Sequence, residues 1–240
     1  MNKSYVFITG CPRSGTSALQ RLLESHPQIL IGRERFSKQL LAGELRPELF
    51  SPEGFLKDYP KVLRKSELSD TEVLDRYRTA SYLGDKLPYL YMQFERLGLL
   101  FPNAKILFIF RNIFDVAASF KARANNADDL TWAPDLGVEA ALENWTFAVN
   151  TAFHTPSSLN VAYLCYESLF YQTGSIDALF EFLHLEVPKV VREKFEELRH
   201  RAITLEKNRN TKALSTEEVF LISREAPFDK YRDILKHVIC

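Results

Sequence analysis

One stretch near the start of the chain, Thr9 to Leu23, decides the fold, and it reads TGCPRSGTSALQRLL. It nearly matches the phosphate loop G-x-x-x-x-G-K-[ST], since Gly10 and Gly15 occupy the glycine positions and Ser17 the last position. Thr16 stands where that loop has its lysine. A short apolar run precedes the loop and a helical pattern follows it, which predicts a strand, loop and helix unit that binds phosphate.

The missing lysine changes what this loop is expected to bind. The backbone amides of a glycine-rich turn that opens a helix form a cradle for anions whatever the side chains are. The absent lysine normally contacts the β- and γ-phosphates, so we do not expect tight binding of a metal-bound triphosphate. Arg13 lies inside the loop and can hold one terminal anionic group. A sulfuryl group fits such a loop without a metal; a chance glycine-rich turn is the alternative.

Apolar runs and helical patterns alternate along the rest of the chain. The apolar, β-rich runs are Tyr5 to Thr9, Ser81 to Gly84, Lys105 to Phe110 and Asn160 to Cys165. The helical patterns are Ala18 to Leu23, Tyr89 to Leu100, Phe114 to Ala124 and Val138 to Phe153. This alternation predicts an α/β fold of three layers, α/β/α, with a central parallel sheet like that of P-loop NTPases. We find no repeat or linker, so residues 1–240 are predicted to form a single domain.

Three regions lack this pattern. The segment from Phe36 to Tyr82 has mixed charge and broken helical fragments, and we interpret it as an insertion over a site. The segment from Asn125 to Asp135 is typical of an exposed loop. The chain after Val187 is charged and helical. Acceptor specificity is expected to lie in these regions.

Composition limits the partners and the compartment. The 31 basic and 31 acidic residues balance, so no overall field attracts nucleic acid or an anionic membrane, and any anion site must be local. The three cysteines are far apart and odd in number, which argues for a reducing compartment. We see no run of about 18 apolar residues and no signal peptide before the loop. The sequence predicts a cytoplasmic protein without a membrane span.

A second candidate anion site lies in the middle of the chain. The apolar run that ends at Phe110 is followed by Arg111, at the strand end where ligands of open α/β sheets gather. Ser119 and Arg123 lie four residues apart on the helix that follows, so they share one face. With Arg111 they can bracket a second phosphate, although a salt bridge or a solvated surface charge is the simpler interpretation of Arg123 taken alone. Two anion sites suggest a nucleotide with phosphates at both ends of its ribose.

Several motifs together resemble one family, the sulfotransferases that use 3′-phosphoadenosine 5′-phosphosulfate (PAPS). CPRSGTS and RNIFDVAAS resemble the 5′-phosphosulfate loop and the 3′-phosphate motif of that family. The resemblance is greatest to the bacterial group related to tyrosylprotein sulfotransferases. It extends through the stretches HPQILIGRERF (His26 to Phe36), GDKLP (Gly84 to Pro88), LFPNAKILFIFRN (Leu100 to Asn112) and YESL (Tyr166 to Leu169).

The resemblance assigns the donor-binding residues. It implies that the loop cradles the 5′-phosphosulfate and that residues of the second site hold the 3′-phosphate, with a tyrosine near the nucleotide. The residues so implied are Arg13, Ser14, Gly15, Thr16, Ser17, Arg111, Ser119, Arg123 and Tyr166. It implies binding of PAPS and of its product 3′-phosphoadenosine 5′-phosphate (PAP), and no metal.

The resemblance also implies a proton acceptor, Glu34. In the tyrosylprotein enzymes the base is the second Glu of a Gly-Glu-Glu stretch after the His-Pro turn, and here that stretch reads Gly32-Arg33-Glu34. Sulfuryl transfer to a hydroxyl needs a group that accepts its proton, and a carboxylate partly desolvated by substrate is suited to this. Pairing with a flanking arginine would make it a weaker base, and a structural ion pair is the alternative. His26 is a minor candidate, more simply a turn residue.

Lys86 is the second catalytic candidate, together with Arg13. Family lysines at this place contact the bridging oxygen and the donor phosphate, where they stabilise the charge of the leaving group. Lys86 is expected at the carboxyl edge of the sheet, after a strand. Asp85 before it can be mistaken for a magnesium-binding acid, but we interpret it as a structural partner because the loop lacks its lysine.

The sequence therefore predicts an enzyme that transfers a sulfuryl group from PAPS to a hydroxyl of a small molecule, glycan or lipid. A serine that the tyrosylprotein enzymes use near the sulfate has no assignable counterpart, which argues against a peptide acceptor. Two alternatives remain open: a P-loop kinase for a nucleotide or small molecule, and a nucleotide-binding protein without turnover.

Overall fold

The computed structural model describes residues 3–56, 69–172, 174–207 and 214–240, and strands among them form one parallel sheet. The strands are β1 (Ser4–Thr9), β2 (Ile29–Arg33), β3 (Tyr82–Lys86), β4 (Lys105–Phe110) and β5 (Asn160–Cys165). Their order across the sheet is β2-β3-β1-β4-β5, and each neighbouring pair is parallel. β1 is therefore central, and the loop that follows it opens at the carboxyl edge between β3 and β4.

The helices of the described residues connect and flank these strands. In the first half of the chain they are α1 (Thr16–Glu24), α2 (Ser37–Leu41), α3 (Pro52–Leu56), α4 (Asp70–Thr79), α5 (Phe94–Leu100) and α6 (Ile113–Ala124). In the second half they are α7 (Val138–Phe153), α8 (Tyr166–Phe170), α9 (Asp177–Phe182), α10 (Lys189–Lys207), α11 (Thr216–Glu225) and α12 (Phe228–Leu235). Two 3-10 helices, Pro47–Phe50 and Pro88–Gln93, complete the set.

Helices cover both faces of the sheet because alternate residues of each strand point to opposite faces. In β4, Ile106, Phe108 and Phe110 are buried in a core to which α6 and α7 contribute. Leu107 and Ile109 are buried in a separate core with residues of α1, α9 and α10. The predicted three-layer α/β/α architecture with a central parallel sheet is confirmed.

Strand β2 is an edge strand that the apolar runs of the sequence do not predict. Its five residues, ILIGR, are too few to show a periodicity of their own. It forms because it pairs in register with β3, from Ile29 opposite Tyr82 to Arg33 opposite Lys86. This pairing brings the residue after β2, Glu34, to the carboxyl edge of the sheet.

The helix predicted from Tyr89 to Leu100 is wrong in its first half, where the chain forms the 3-10 helix Pro88–Gln93. The Pro88 carbonyl accepts a hydrogen bond from the Thr9 hydroxyl at 2.9 Å. The Tyr91 amide donates to the same hydroxyl at 3.2 Å. Because the end of β1 engages these backbone groups, the first turn cannot use them for an α-helix, and α5 begins only at Phe94.

The segment predicted as an insertion over a site, Phe36 to Tyr82, contributes several buried side chains to the core. Phe36, Phe50 and Phe55 are buried in the core on the α6 and α7 side of the sheet. The ring centroids of Phe36 and Phe50 are 4.7 Å apart in an edge-to-face arrangement, which stabilises such pairs beyond their burial. Only α2 of the described part reaches the candidate site, and residues 57–68 lie outside the described residues.

Candidate active site

A cavity of about 610 Å³ opens at the carboxyl edge of the sheet. Its walls come from the loop before α1, the ends of β2, β3 and β4, helices α2 and α6, and the segment after α6. Of the residues predicted for the site, those that line it are Arg13, Gly15, Thr16, Ser17, Glu34, Lys86, Arg111 and Arg123. Ser14, Ser119 and Tyr166 contribute from behind the wall, as described below. The two anion sites predicted separately from the sequence therefore share one cavity.

The loop after β1 has the backbone of an anion cradle. Arg13 has a φ of 72° and Gly15 a φ of 98°, so the chain takes the left-handed conformation twice before α1 begins. No side chain caps the first turn of α1, and that turn contains no acidic residue. Its backbone amides and the positive end of the helix dipole therefore remain directed at the cavity. The Ser14 side chain is fully buried and its hydroxyl has no hydrogen-bond partner among the described residues.

Tyr166, at the start of α8, supports this loop from behind. A Cβ atom on Gly15 would overlap the Tyr166 ring. The guanidinium of Arg111 lies over the same ring, 4.5 Å from its centroid. One buried aromatic side chain therefore positions both the loop and an arginine of the second predicted anion site.

The family resemblance implies that PAP binds at this loop, so we expect Gly15→Ala to weaken PAP binding about tenfold or more. A side chain at a positive φ costs about 1–2 kcal/mol, and this one also displaces Tyr166 from the loop and from Arg111. Calorimetric titration with PAP measures the loss, and thermal unfolding checks the fold. Gly137→Ala is the matched control, because a Cβ there meets only a Glu139 carboxylate oxygen at 4.0 Å. An unchanged PAP affinity in Gly15→Ala would contradict the role of the loop.

Arg13 joins the two predicted anion sites. Its Nε donates a hydrogen bond of 2.9 Å to the Ser119 hydroxyl, which the sequence placed in the second site. Burial lowers the pKa of Arg13, and the nearby charges of Arg123 and Arg111 lower it further. Three guanidinium groups held this close repel one another, so a bound polyanion would stabilise the arrangement.

Arg111 is held by a set of residues that the sequence does not single out. Its Nη2 donates hydrogen bonds to the Tyr171 hydroxyl at 3.0 Å and to the Asp115 carboxylate at 3.3 Å. Its Nε is buried and has no hydrogen-bond partner among the described residues. A buried donor without a partner is costly, and an anionic ligand in the cavity offers it an acceptor. The sequence carries no motif that identifies Tyr171, five residues beyond Tyr166.

Arg123 lines the cavity but is engaged by the segment after α6. It donates to both carboxylate oxygens of Asp129, at 2.6 and 2.9 Å, and to the Thr131 hydroxyl at 2.9 Å. Its guanidinium lies 4.4 Å from the centroid of the Trp132 ring. These hydrogen bonds lower the pKa of Asp129. The loop predicted from Asn125 to Asp135 is thus fastened to α6 through Arg123, and Thr131 and Trp132 line the cavity.

Glu34 and Lys86 form an ion pair at the ends of β2 and β3. The Lys86 ammonium donates to the Glu34 carboxylate, and the Glu34 amide donates to the Lys86 carbonyl at 2.9 Å. Lys86 is the last residue of β3 and is 1% exposed, whereas the Glu34 side chain keeps 40% exposure. Burial lowers the pKa of Lys86, and the charge of Glu34 opposes that shift. The pair presents a buried cation beneath a carboxylate that reaches the cavity.

The two arginines that flank Glu34 in the sequence, Arg33 and Arg35, have different surroundings. Arg35 donates to the Gly54 carbonyl at 3.0 Å through Nε and lies over the rings of Phe36 and Phe55. Arg33 lines the cavity beside Glu34. The ion-pair partner that the structure gives to Glu34 is Lys86.

Asp85, directly before Lys86, lies in the core and not in the cavity wall. It is 0% exposed, and its Oδ2 accepts a hydrogen bond of 2.8 Å from the Phe36 amide. Its Oδ1 lies 2.8 Å from the place that a Cβ on Gly32 would occupy, so only glycine leaves room for it. Burial raises the pKa of Asp85 to about 7. Asp85 ties the segment after β2 to β3 and thereby helps to fix Glu34.

The cavity is strongly cationic although the protein as a whole has a net charge of zero. Among the described residues, its charged lining consists of five cations and one carboxylate, namely Arg13, Arg33, Lys86, Arg111, Arg123 and Glu34. A local excess of this kind concentrates anionic ligands. The arrangement suits a ligand with several negative charges, as the sequence predicts for a local anion site.

His26, the minor candidate for the base, lies outside the cavity wall. His26 is 2% exposed; its Nδ1 accepts from the Gln28 amide at 3.1 Å and its Nε2 lies 3.0 Å from the Glu186 carbonyl. It is a turn residue outside the cavity wall. Within the described ranges, no group of three His, Cys, Asp or Glu side chains is placed to hold a metal ion. Across the same residues, none of the helices combines the length and the apolarity that a bilayer crossing requires.

Comparison with known proteins identifies relatives for most of the chain. A sequence model of the sulfotransferase family matches residues 5–189. Protein-tyrosine sulfotransferase 1 of Rattus norvegicus is 33% identical over 120 residues, which cover 46% of this chain and 32% of the relative. Nodulation protein NoeE of Sinorhizobium fredii is 30% identical over 129 residues, 48% of this chain and 30% of that protein. The matches span about a third of the length of these curated relatives.

Solved structures share the fold. The sulfotransferase domain from the curacin biosynthetic pathway superposes with a TM-score of 0.55 at 19% identity, over 80% of this chain and 78% of that chain. Sulfotransferase STF9 from Mycobacterium avium gives 0.54 at 13% identity, over 97% and 76%. The family match covers the loop, Glu34, Lys86 and the second anion site. The chain therefore belongs to the sulfotransferase family.

Proposed function

We propose that this protein transfers a sulfuryl group from PAPS to a hydroxyl of a small molecule, glycan or lipid. One observation carries the proposal: the lysine-free loop, the Glu34–Lys86 pair and the arginines of the second anion site line a single cavity. We propose that residues 1–240 act as one sulfotransferase domain. The three cysteines are free thiols, which supports a reducing, cytoplasmic compartment as the place of action.

The residues of the cavity fit the charges of the donor. The loop amides and Arg13 would hold the 5′-phosphosulfate, since the first turn of α1 has neither a side-chain cap nor an acid. Arg111, whose Nε has no hydrogen-bond partner among the described residues, would hold the 3′-phosphate together with Ser119. Arg123 is engaged by Asp129 and would assist from the side of the loop that it fastens.

The transfer requires a proton acceptor for the attacking hydroxyl and a cation for the phosphate that leaves. When bound, the donor supplies a sulfuryl group whose S–O bond to the 5′-phosphate breaks as the acceptor oxygen forms a new S–O bond. The Glu34 carboxylate takes the proton of the acceptor hydroxyl. Lys86 and Arg13 stabilise the electron pair that remains on the phosphate oxygen. Atoms and charge balance without a metal ion.

The direct test incubates the protein with PAPS and a panel of hydroxyl acceptors and follows the release of PAP. We expect release that depends on the acceptor and a sulfated product of matching amount. PAP binding without release for any acceptor class would favour the alternative of a nucleotide sensor. The presence of both Glu34 and Lys86 at the cavity argues against that alternative.

Nucleotide binding provides a prediction that needs no acceptor. We expect PAP to bind about 10–100-fold more tightly than AMP, because each hydrogen bond from arginine to the added 3′-phosphate contributes about 1.5–3 kcal/mol. Calorimetry measures both affinities, and we expect EDTA to leave them unchanged. Tight binding of ATP that requires Mg²⁺, with no preference for PAP, would instead support the kinase alternative. Thr16 in the place of the lysine argues against it.

A further inference from the structure

The cavity continues past Lys86 to the edge of the sheet. We call this part the edge subsite; it is formed by Arg33, Ser37, Leu40, Leu41 and Tyr89, all of which line the cavity. These residues belong to the end of β2, to α2 and to the 3-10 helix after β3. Family resemblance assigned none of them a role.

The strand order places the edge subsite away from the donor phosphates. Neighbouring strands lie about 4.8 Å apart, so β2 and β4 are separated by about 14 Å across β3 and β1. Arg111 follows β4 and the loop follows β1, whereas Arg33 ends β2. Along this edge the sequence of groups is Arg111, the loop, Lys86 and then Arg33. Given the proposed function, a ligand beyond Lys86 is the acceptor.

Arg33 supplies a cation to this subsite. It is directly opposite Lys86 in the pairing of β2 with β3, and its charge lowers the pKa of Lys86. No carboxylate of the described residues forms an ion pair with Arg33, while Glu34 beside it pairs with Lys86. A guanidinium in a partly enclosed cavity binds carboxylate and phosphate groups with paired hydrogen bonds.

The remaining walls of the edge subsite are mostly apolar. Leu40 is 3% exposed, whereas Leu41 is 73% exposed at the mouth of the cavity. Tyr89 lines the cavity as well. Burial, with smaller contributions from Cys11 and Glu34, raises the pKa of Tyr89 to about 12, so that its hydroxyl stays neutral. The other polar groups of the subsite besides Arg33 are the Ser37 side chain and the Tyr89 hydroxyl. These two groups offer few hydrogen bonds to a polyhydroxylated sugar ring.

We propose that the acceptor is an amphipathic anion, with its hydroxyl on an apolar body and an anionic group that binds Arg33. The hydroxyl lies at Glu34, the apolar body packs on Leu40, Leu41 and Tyr89, and the anionic group pairs with Arg33. This inference rests on the proposed function and narrows its acceptor. Arg33 is then a residue that determines specificity and takes no part in the chemical step.

Three phenols of equal ring and spacer test the charge preference. The probes are 3-(4-hydroxyphenyl)propionate, which is anionic, its neutral primary amide, and tyramine, which is cationic. Calorimetry on protein saturated with PAP measures their binding, and PAP release measures their kcat/KM as acceptors of PAPS. We expect the propionate to bind the wild-type protein about 10–100-fold more tightly than the amide, because its carboxylate forms charged hydrogen bonds with Arg33.

Variants at position 33 show whether Arg33 causes that preference. Arg33→Gln should bring the propionate and the amide to equal affinity, and Arg33→Glu should make tyramine the preferred ligand. Lys38→Gln is the matched control, since it removes an exposed cation of α2 that does not line the cavity; it should keep the wild-type order. PAP affinity and thermal unfolding confirm that each variant is folded.

The outcomes separate the inference from the function on which it rests. If PAP binds but the propionate does not, or has no advantage over the amide, the inference is overturned. A preference that persists in Arg33→Gln overturns it equally. If PAP itself fails to bind the wild-type protein, the proposed function is wrong, and the acceptor assignment is wrong with it.

Discussion

Glu34→Gln is expected to lower kcat about 10²–10⁴-fold, which is the usual contribution of a general base. Glutamine keeps the size of the side chain, and its carbonyl can still accept a hydrogen bond from the Lys86 ammonium that pairs with Glu34. It cannot accept the proton of the acceptor hydroxyl. PAP affinity should change little, because Glu34 lies on the acceptor side of Lys86. Acceptor-dependent PAP release at saturating substrates measures the loss.

The pH profile of kcat shows whether Glu34 acts as a general base or only as the ion-pair partner of Lys86. Loss of a general base lowers kcat at every pH, whereas loss of a mere partner of Lys86 changes only the position of the profile. The charge of Glu34 also raises the pKa of Lys86 against the effect of burial. Its removal lowers the pKa of Lys86, so the basic limb should move to lower pH. Turnover near that of the wild type would contradict the assignment of Glu34.

Lys86→Met is expected to lower kcat about 10²–10³-fold, the usual cost of removing one donor that stabilises a developing anion. Methionine retains most of the stem volume of a side chain that is 1% exposed, so the core around β3 stays filled. The Glu34 carboxylate loses its partner but keeps 40% exposure, and water can solvate it. The loss should fall on kcat more than on PAP affinity.

Lys105→Met is the matched control for this variant. Lys105 is the first residue of β4, at the amino end of the strand and outside the cavity wall, where its ammonium lies near the His184 ring. The same substitution there should leave kcat within about twofold of the wild type, as surface substitutions usually do. Equal losses in both variants would mean that a general loss of charge, and not the position of Lys86, explains the effect.

The double variant Glu34→Gln with Lys86→Met should lose less kcat than the product of the two single losses, because the two residues act as a unit.

The elements with strong local signals could be predicted from the sequence. β4 and β5 have the predicted bounds, because each is a six-residue apolar run between polar turns. β3 runs two residues beyond its apolar part, through Asp85 and Lys86, since pairing with β1 and β2 continues there. A charged residue ends an apolar pattern in the sequence, but it need not end a strand whose backbone has partners on both sides.

Contacts between residues that are distant in the sequence could not be predicted from the sequence. Arg123 faces the cavity, yet its guanidinium is engaged by Asp129 and Thr131, which no spacing rule indicates. Tyr171, directly after α8, positions Arg111 through a hydrogen bond. Such side-chain contacts depend on where loops and helices pack, and local propensity carries no information about that.

The sequence by itself determined the kind of protein: a glycine-bearing loop without lysine, an arginine after the strand β4, and strands alternating with helices. These features are local, because backbone conformation and hydrophobic periodicity are set by neighbouring residues. Only the tertiary structure decided that the two anion sites form one cavity, that Glu34 pairs with Lys86, and that Arg33 lies past Lys86 at the sheet edge. Strand order decided these relations, since it sets which carboxyl ends are neighbours, and strand order arises from packing across the whole chain.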